Sequence, residues 1–377
     1  MKNVMVLGAG MVGSAIARDL AGEQKVTVAD IDPKRLDVLS RGGLSTRRVD
    51  ISDSEQLRGA VADQDLVIGA VPGFLGFSTL KTVVEAGKSA VDISFFEEDP
   101  FELDENAREN GVTAVVDCGV APGMGNIILG FHDRTMRVDF FECLVGGLPV
   151  KRSWPFQYKA PFSPIDVLEE YIRPARMMEN GEIVAKPALS EPEYVELEPV
   201  GTLEACNTDG LRTLLRTMKT PTMREKTLRY PGHIEYVRVL LDSGFFSKDP
   251  VDVGGVAVSP IDLTAKLLFR KWRLGRDEPD ITLMRIRISG EEGGAPKEYT
   301  YDLFDQYDEE TGTLSMARTT GYTCSSVARL LLRGEFRRKG VCPPEYVGAE
   351  EGCFHQVMGD LRDRGVIYRV AEGPPPA

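Results

Sequence analysis

The sequence predicts an α/β protein: a doubly wound parallel sheet at the N-terminal end, followed by a mixed α+β region built on a largely antiparallel sheet. Three observations predict it. An apolar strand runs through a glycine-rich turn directly into a helix-like stretch, Asn3 to Leu20. Short apolar strands then alternate with helical segments as far as Gly119. Beyond Gly130 the strand-like segments lengthen and alternate apolar with polar residues, the mark of a sheet with one buried face.

The first strand, Asn3 to Leu7, meets Gly8-Ala9-Gly10-Met11-Val12-Gly13, and a helix follows from Ser14. Gly8 permits the tight turn. Gly10 lets backbone approach a pyrophosphate where a side chain would collide, and Gly13 lets the helix pack on the strand. The N–H groups of Met11, Val12 and Gly13 open the helix toward the anion. A second strand, Lys25 to Ala29, ends at Asp30, 17 residues past Gly13, where an acid takes ribose hydroxyls. A plain turn is the alternative, and the strand before, helix after and acid beyond favour a dinucleotide. The Asp30 carboxylate would repel a 2′-phosphate and no arginine adjoins it, so NAD is expected over NADP; Lys34 and Arg35 read as capping or solvated residues.

The rhythm continues through Ser45 to Val49, Asp65 to Val71, Ser89 to Ser94 and Thr113 to Val116. Ligands of such sheets lie at the carboxyl ends of strands, which places Asp50, Val71, Pro72, Ser94, Cys118 and Gly119 near the cofactor. Asp92 and Asp117 read as turn or cap residues. After a turn and helix start at Val120 to Gly130 come strand-like Phe140 to Gly146, Tyr194 to Glu198, Ile281 to Ile288 and Lys297 to Leu303, the last two separated by a turn-rich run, Ser289 to Pro296. A helix is expected over Ser325 to Arg333, a break at Gly340 to Pro344 and a frayed tail from Glu372.

Lys and Arg number 45 against 58 Asp and Glu, a net charge of −13, and no basic stripe offers itself to phosphates, so nucleic acid is a poor partner. No apolar run reaches the roughly 18 residues of a membrane span, and no cleavable signal opens the chain, so a cytoplasmic address is expected. Six scattered cysteines without a CxxC pair and only three histidines give a metal little to bind; free, buried thiols are expected.

Gly8-Ala-Gly10-Met-Val-Gly13, Asp117-Cys-Gly119-Val-Ala-Pro122-Gly-Met, Asn207-Thr-Asp209-Gly-Leu-Arg212 and Leu228-Arg-Tyr-Pro231-Gly-His233 together resemble the saccharopine dehydrogenase-like oxidoreductases, essentially end to end. Within them, Pro155 to Ser163, Leu168 to Ala175 and the Tyr-Pro-Gly-His ending look most like the lysine 6-dehydrogenases. The resemblance implies a Rossmann domain over residues 1–122, an inserted substrate and oligomerisation domain over 123–322, and a segment over 323–377 returning to the first domain. It also implies a homo-oligomer, dimer or higher, and an amino-acid substrate. Val120-Ala121 departs from saccharopine-forming relatives, whose loop often carries an acid there.

Oxidising a lysine ε-amine, pKa roughly 10.4, requires a neutral amine and hence a desolvated site or a base, and the product is the 2-aminoadipate semialdehyde with release of ammonia. His233 has the intrinsic pKa for a proton acceptor, its alternative being a capping or packed histidine. Tyr158 is a candidate donor or core residue, and Asp209 and Asn207 are candidates for substrate contact or for capping a helix near Gly210. Lys159 and Arg173 are candidate carboxylate partners, and Cys118 a cleft-lining substrate contact. The rival readings are a reductase of the saccharopine or carboxynorspermidine kind and a non-catalytic NAD-binding sensor.

Overall fold

The computed structural model describes residues 1–161, 164–275 and 278–375. Phe162 and Ser163 of the Pro155 to Ser163 run lie outside the described residues. The chain divides into two units, Met1–Met136 with Met316–Tyr368, and Arg137–Ser315 with the segment from Arg369.

The first unit opens with β1 (Asn3–Leu7), α1 (Met11–Ala21), β2 (Lys25–Asp30), α2 (Pro33–Arg41), β3 (Ser45–Arg48), α3 (Ser54–Val61) and β4 (Leu66–Gly69). It continues with α4 (Gly73–Glu85), β5 (Ala90–Asp92), α5 (Asp104–Glu109), β6 (Thr113–Val115) and α6 (Met124–His132). The second unit is built from β7 (Met136–Pro149), α7 (Pro164–Ile172), β8 (Ala175–Glu179), β9 (Glu182–Lys186), β10 (Glu193–Leu197), β11 (Gly201–Asn207), α8 (Leu214–Thr217), β12 (Thr222–Arg229) and α9 (His233–Asp242). It goes on through β13 (Val251–Val253), β14 (Val256–Val258), α10 (Pro260–Trp272), β15 (Asp280–Glu292) and β16 (Ala295–Gln306). The chain closes with α11 (Ser315–Arg333), β17 (Gly340–Cys342), α12 (Pro344–Gly348), α13 (Glu351–Asp363) and β18 (Tyr368–Gly373).

In the first unit seven strands lie in the order β17-β6-β5-β4-β1-β2-β3, and the registered pairs are parallel. The order reverses direction at β1, where the doubly wound fold places its ligand. The break expected at Gly340 to Pro344 begins instead as the edge strand β17, with Val341 opposite Ala114. The helix expected from Ser325 begins ten residues earlier, at Ser315. Buried Arg329 ties α11 to α1, donating to Asp19 at 2.9 Å and to Glu23 at 2.8 Å. The boundary expected at residue 122 falls instead at Met136, because α6 is buried along most of its length in the first unit.

The second unit's sheet runs β10-β11-β12-β7-β15-β16-β18, with β8 on β12 and β9 on β8. It is mixed: β12 pairs parallel with β7, whereas β10–β11, β11–β12 and β15–β16 are antiparallel. The turn-rich run at Ser289 to Pro296 is mostly strand, for the pairing of β15 with β16 extends to Glu292 opposite Ala295 and leaves only Gly293-Gly294 as the turn. Both glycines have positive φ, which a two-residue hairpin requires. The expected frayed tail is likewise β18 as far as Gly373, in the sheet beside β16. Tyr158, Tyr171, Ile234 and Trp272 lie in this unit's core.

Candidate functional site

In the first unit the glycine loop is held by its neighbours. Gly8 sits at φ +110°, and a Cβ there would lie 2.3 Å from the Ala70 carbonyl oxygen. A Cβ on Gly13 would lie 2.1 Å from the Gly8 oxygen. Gly10 is different: its backbone is extended, and no heavy atom lies within 4 Å of where its Cβ would be. The space above Gly10 is therefore open, and a side chain there would fill the room a diphosphate needs without striking protein. α1 starts at that point with no side-chain cap, whereas Asp32 caps α2 and Asp53 caps α3. Its first-turn N–H groups are left for an anion, so the residues present fit a dinucleotide.

Asp30 is buried and does more than end β2. Its Oδ2 accepts from the Ala9 N–H at 2.7 Å and its Oδ1 from the Asp32 N–H at 2.8 Å, fixing the loop. The Arg35 guanidinium lies 3.8 Å from the same carboxylate and 3.6 Å from Asp32, so the expectation that no arginine offsets Asp30 is corrected. Met11 is 44% exposed beside Gly10. Asp50 folds onto its own turn, accepting from the Ser52 N–H and hydroxyl. Val71 is buried, and exposed Pro72 starts α4. Ser94 donates from its N–H to Asp92 at 2.8 Å, and the Gly119 N–H donates to the Pro122 oxygen at 3.0 Å. Cys118, expected as a substrate contact, is fully enclosed, and burial followed by the charges of Asp117 and Asp92 pushes its thiol up. All six cysteines are buried and free.

In the second unit the sequence candidates fall into two groups. Tyr158 and His233 meet in one buried layer, whereas Lys159, Asn207 and Asp209 are held by partners of their own. Lys159 pairs with Glu278. Asp209 is no helix cap: it accepts from the Arg176 Nε at 2.9 Å and Nη2 at 2.8 Å, a bidentate pair. Asn207, also expected as a cap or contact, donates to Ser190 Oγ and Glu191 Oε2, both at 3.1 Å. Among the described residues the helix that follows Gly210 is the four-residue α8, which starts at Leu214, too far on for either to cap. Arg173 lies 3.6 Å from Glu169.

The buried layer is organised by residues that sequence reading passed over. One face of β12 presents Glu225, Thr227 and Arg229 at the strand's two-residue period, and α7 brings Glu170 and Tyr171 to it. Arg229 donates from Nε to the Tyr171 oxygen at 2.6 Å, from Nη2 to Glu170 at 3.4 Å, and stacks 4.6 Å from the Tyr158 ring centre. Thr227 donates to Glu170 and shares a 3.0 Å hydroxyl bond with Thr208. Burial opposes the charge on Arg229, but Tyr171, Tyr158 and Glu170 outweigh it and keep it a cation.

These bonds fix the tautomer of His233. A carbonyl only accepts, so the proton of the neutral ring is on Nδ1, which donates to the Phe156 carbonyl at 2.8 Å. Nε2 is then left to accept from the Tyr171 hydroxyl, 3.0 Å away, whose oxygen in turn accepts from Arg229. With 0% exposure and both nitrogens engaged, His233 presents neither to a substrate. Burial, then the charge of Arg229, hold it neutral down to about pH 3, against the Phe156 bond. The proton-acceptor expectation is thereby replaced by the packed-histidine alternative. Between pH 6.5 and 3 the unfolded chain binds a proton here that the folded chain refuses, so stability rises with pH across that window and is lost on acidification. We expect His233→Gln to flatten this slope by up to roughly 1.4 kcal/mol per pH unit. Urea midpoints at pH 5 and 7, read by tryptophan fluorescence, check it; equal slopes in both proteins would refute the neutral assignment.

Tyr158 is 1% exposed, and its hydroxyl finds no hydrogen-bond partner among the described residues. Burial pushes it up to about 12, with Arg229 opposing and Glu170 reinforcing. Among the described residues no group of three or more His, Cys, Asp and Glu is arranged to hold a metal, and no helix is long and apolar enough to cross a membrane.

Comparison with known proteins decides the family. Residues 4–115 match the Saccharopine dehydrogenase NADP binding domain, and residues 115–366 match the Saccharopine dehydrogenase C-terminal domain. The chain belongs to the saccharopine dehydrogenase family. Its first unit carries that family's nicotinamide dinucleotide-binding domain. Among curated relatives, the mitochondrial alpha-aminoadipic semialdehyde synthase of Rattus norvegicus is 22% identical, the alignment covering 97% of this chain and 47% of the synthase. The chain thus spans about half the length of that relative. The saccharopine dehydrogenase (NADP+, L-glutamate-forming) of Saccharomyces cerevisiae is 25% identical over 97% of this chain and 98% of its own. A solved structure of the apo saccharopine dehydrogenase (L-Glu forming) from Saccharomyces cerevisiae shares the fold, with a TM-score of 0.80 at 20% identity, covering 99% of this chain and 100% of that one.

Proposed function

We propose that the chain is a nicotinamide-dependent dehydrogenase acting on an amine of an amino acid, with the lysine ε-amine as substrate, in the manner of a lysine 6-dehydrogenase. Bound nicotinamide supplies the hydride acceptor. The observation that carries the redox reading is the open space over Gly10 at the uncapped start of α1. Asp30 supports NAD as the better cofactor, while Arg35 beside it softens the repulsion of a 2′-phosphate, so NADP is a slower cofactor rather than a dead one. Support for the amine comes from the carboxylates of the second unit, Glu170, Asp209 and Glu225, and for lysine from the Tyr158-Lys159 and Tyr230-Pro-Gly-His233 runs. The reading includes a cytoplasmic homo-oligomer, which light scattering tests.

Lysine with NAD is expected to give NADH and one ammonia per NADH, with kcat/KM higher for NAD than for NADP. The family's saccharopine relatives favour a second reading, formation or cleavage of a secondary amine between two amino acids. In that case saccharopine, not lysine, reduces NAD or NADP, and glutamate appears in place of ammonia. Nucleotide binding without turnover of any amine would leave a sensor.

A further inference from the structure

We propose that the Phe74 ring packs against the nicotinamide of the bound dinucleotide and supplies much of the affinity for that half of the ligand. The inference rests on dinucleotide binding by the first unit, not on lysine as the substrate. Large apolar side chains of this unit stand in water around the glycine loop: Met11 is 44% exposed, Ile31 54% and Phe74 77%. They follow the carboxyl ends of β1, β2 and β4, the strands around the point where the sheet order reverses. Apolar surface gathered at the mouth of a ligand crevice is surface that the ligand covers.

The order of the strands gives Phe74 its half of the ligand. β1 pairs with β2 on one side and with β4 on the other. Asp30 ends β2, so the adenosine ribose belongs on that side, with the diphosphate over Gly10 at the end of β1. The nicotinamide nucleoside then extends toward β4. The end of β4 abuts the glycine loop: the Ala70 N–H donates to the Leu7 oxygen at 2.9 Å, and the Ala70 oxygen lies 2.3 Å from where a Cβ on Gly8 would be. Phe74 follows in the first turn of α4.

That turn is held in place from behind. A Cβ on Gly76 would lie 2.7 Å from both the Phe96 Cδ1 and the Ser94 Cβ, so α4 is pressed against the loop that follows β5. Phe77, one turn beyond Phe74, packs edge-on against Phe96 with ring centres 5.8 Å apart. One phenylalanine of the pair thus anchors the helix, and the other is carried on the anchored helix with its ring in water. An aromatic ring fixed before the ligand arrives loses little freedom on binding. A phenyl ring offers no hydrogen bond to a sugar or a phosphate, so the part of the nucleoside it matches is the flat nicotinamide, where ring contact adds to the burial of apolar surface.

Calorimetry on the full chain with NADH and with ADP-ribose, which lacks the nicotinamide, tests this. Phe74→Ala is expected to bind NADH roughly 10-fold more weakly and ADP-ribose as the wild type does. Its thermal midpoint is expected to stay near that of the wild type, because the ring it removes is mostly in water. Phe74→Tyr, which keeps the ring, is expected to bind both ligands as the wild type does. Unchanged NADH affinity in Phe74→Ala, equal weakening of the two ligands, or an equal loss of NADH affinity in the alanine and tyrosine variants overturns the contact. Binding of neither ligand by the wild type would remove the dinucleotide reading together with it, whereas normal NADH binding by Phe74→Ala removes the role of Phe74 alone.

Discussion

Gly10→Val is expected to fold with a thermal midpoint near that of the wild type and to bind NAD at least 100-fold more weakly, about 2.8 kcal/mol. The two halves of this result have one cause. Gly10 is in extended backbone that any residue adopts, and nothing in the protein lies within 4 Å of its missing Cβ. A Cβ there meets no protein atom beyond its chain neighbours, so the fold has little to lose. The branched side chain instead stands over the uncapped start of α1, where a diphosphate must approach the backbone. Gly13→Val is the contrasting control: its Cβ would press on the Gly8 oxygen at 2.1 Å, and overpacking of this kind costs roughly 1–3 kcal/mol before any ligand is added. Calorimetric titration with NAD, beside thermal melts of both variants, separates them. NAD affinity unchanged in a folded Gly10→Val would mean that the nucleotide does not lie over this loop.

The first unit was legible in the sequence because its signals are local. Each buried strand is a short apolar run, and Gly8, Gly10 and Gly13 act through the few residues around them. Arg35 reads in sequence as a capping or solvated residue although the signal that places it is also local: Asp32 caps a helix that starts at Pro33, which turns Arg35 back toward Asp30. β17 was hidden for another reason. Three residues behind the charged run Arg337-Arg338-Lys339 become a strand only by pairing with β6, more than two hundred residues earlier. The polar layer of the second unit is non-local throughout. Tyr171 reaches His233 across 62 positions and Arg229 across 58, so no window of sequence contains the bonds that fix the histidine's tautomer. His233 was singled out for its intrinsic pKa, which holds in water; burial beside a cation removed that property. Glu225 carries no local signal either, for it packs against Gly210, which lies outside its strand in the loop that joins β11 to β12.

Arg229→Met is expected to destabilise the second unit by roughly 3–5 kcal/mol, the largest stability effect of any single change in the buried layer. The side chain of Arg229 is 2% exposed and serves three groups at once: Glu170, the Tyr171 oxygen and the face of Tyr158. Methionine fills much of the space but leaves Glu170 without its cation and frees Tyr171 to turn its proton away from His233. The loss therefore exceeds that of one hydrogen bond. Glu170→Gln alone should cost less, because an amide can still accept from Thr227, and the double variant should cost less than the two singles added, since most of the penalty in Arg229→Met is the stranded carboxylate. The chain reports this unit selectively: its two tryptophans, Trp154 and Trp272, both lie there, and Trp272 is 0% exposed with its ring 5.9 Å from that of His233. Urea unfolding followed by tryptophan fluorescence thus reads the second unit without the first. Additive single costs in that measurement, or a shift below about 1 kcal/mol for Arg229→Met, would show that the cation is not what holds the layer together.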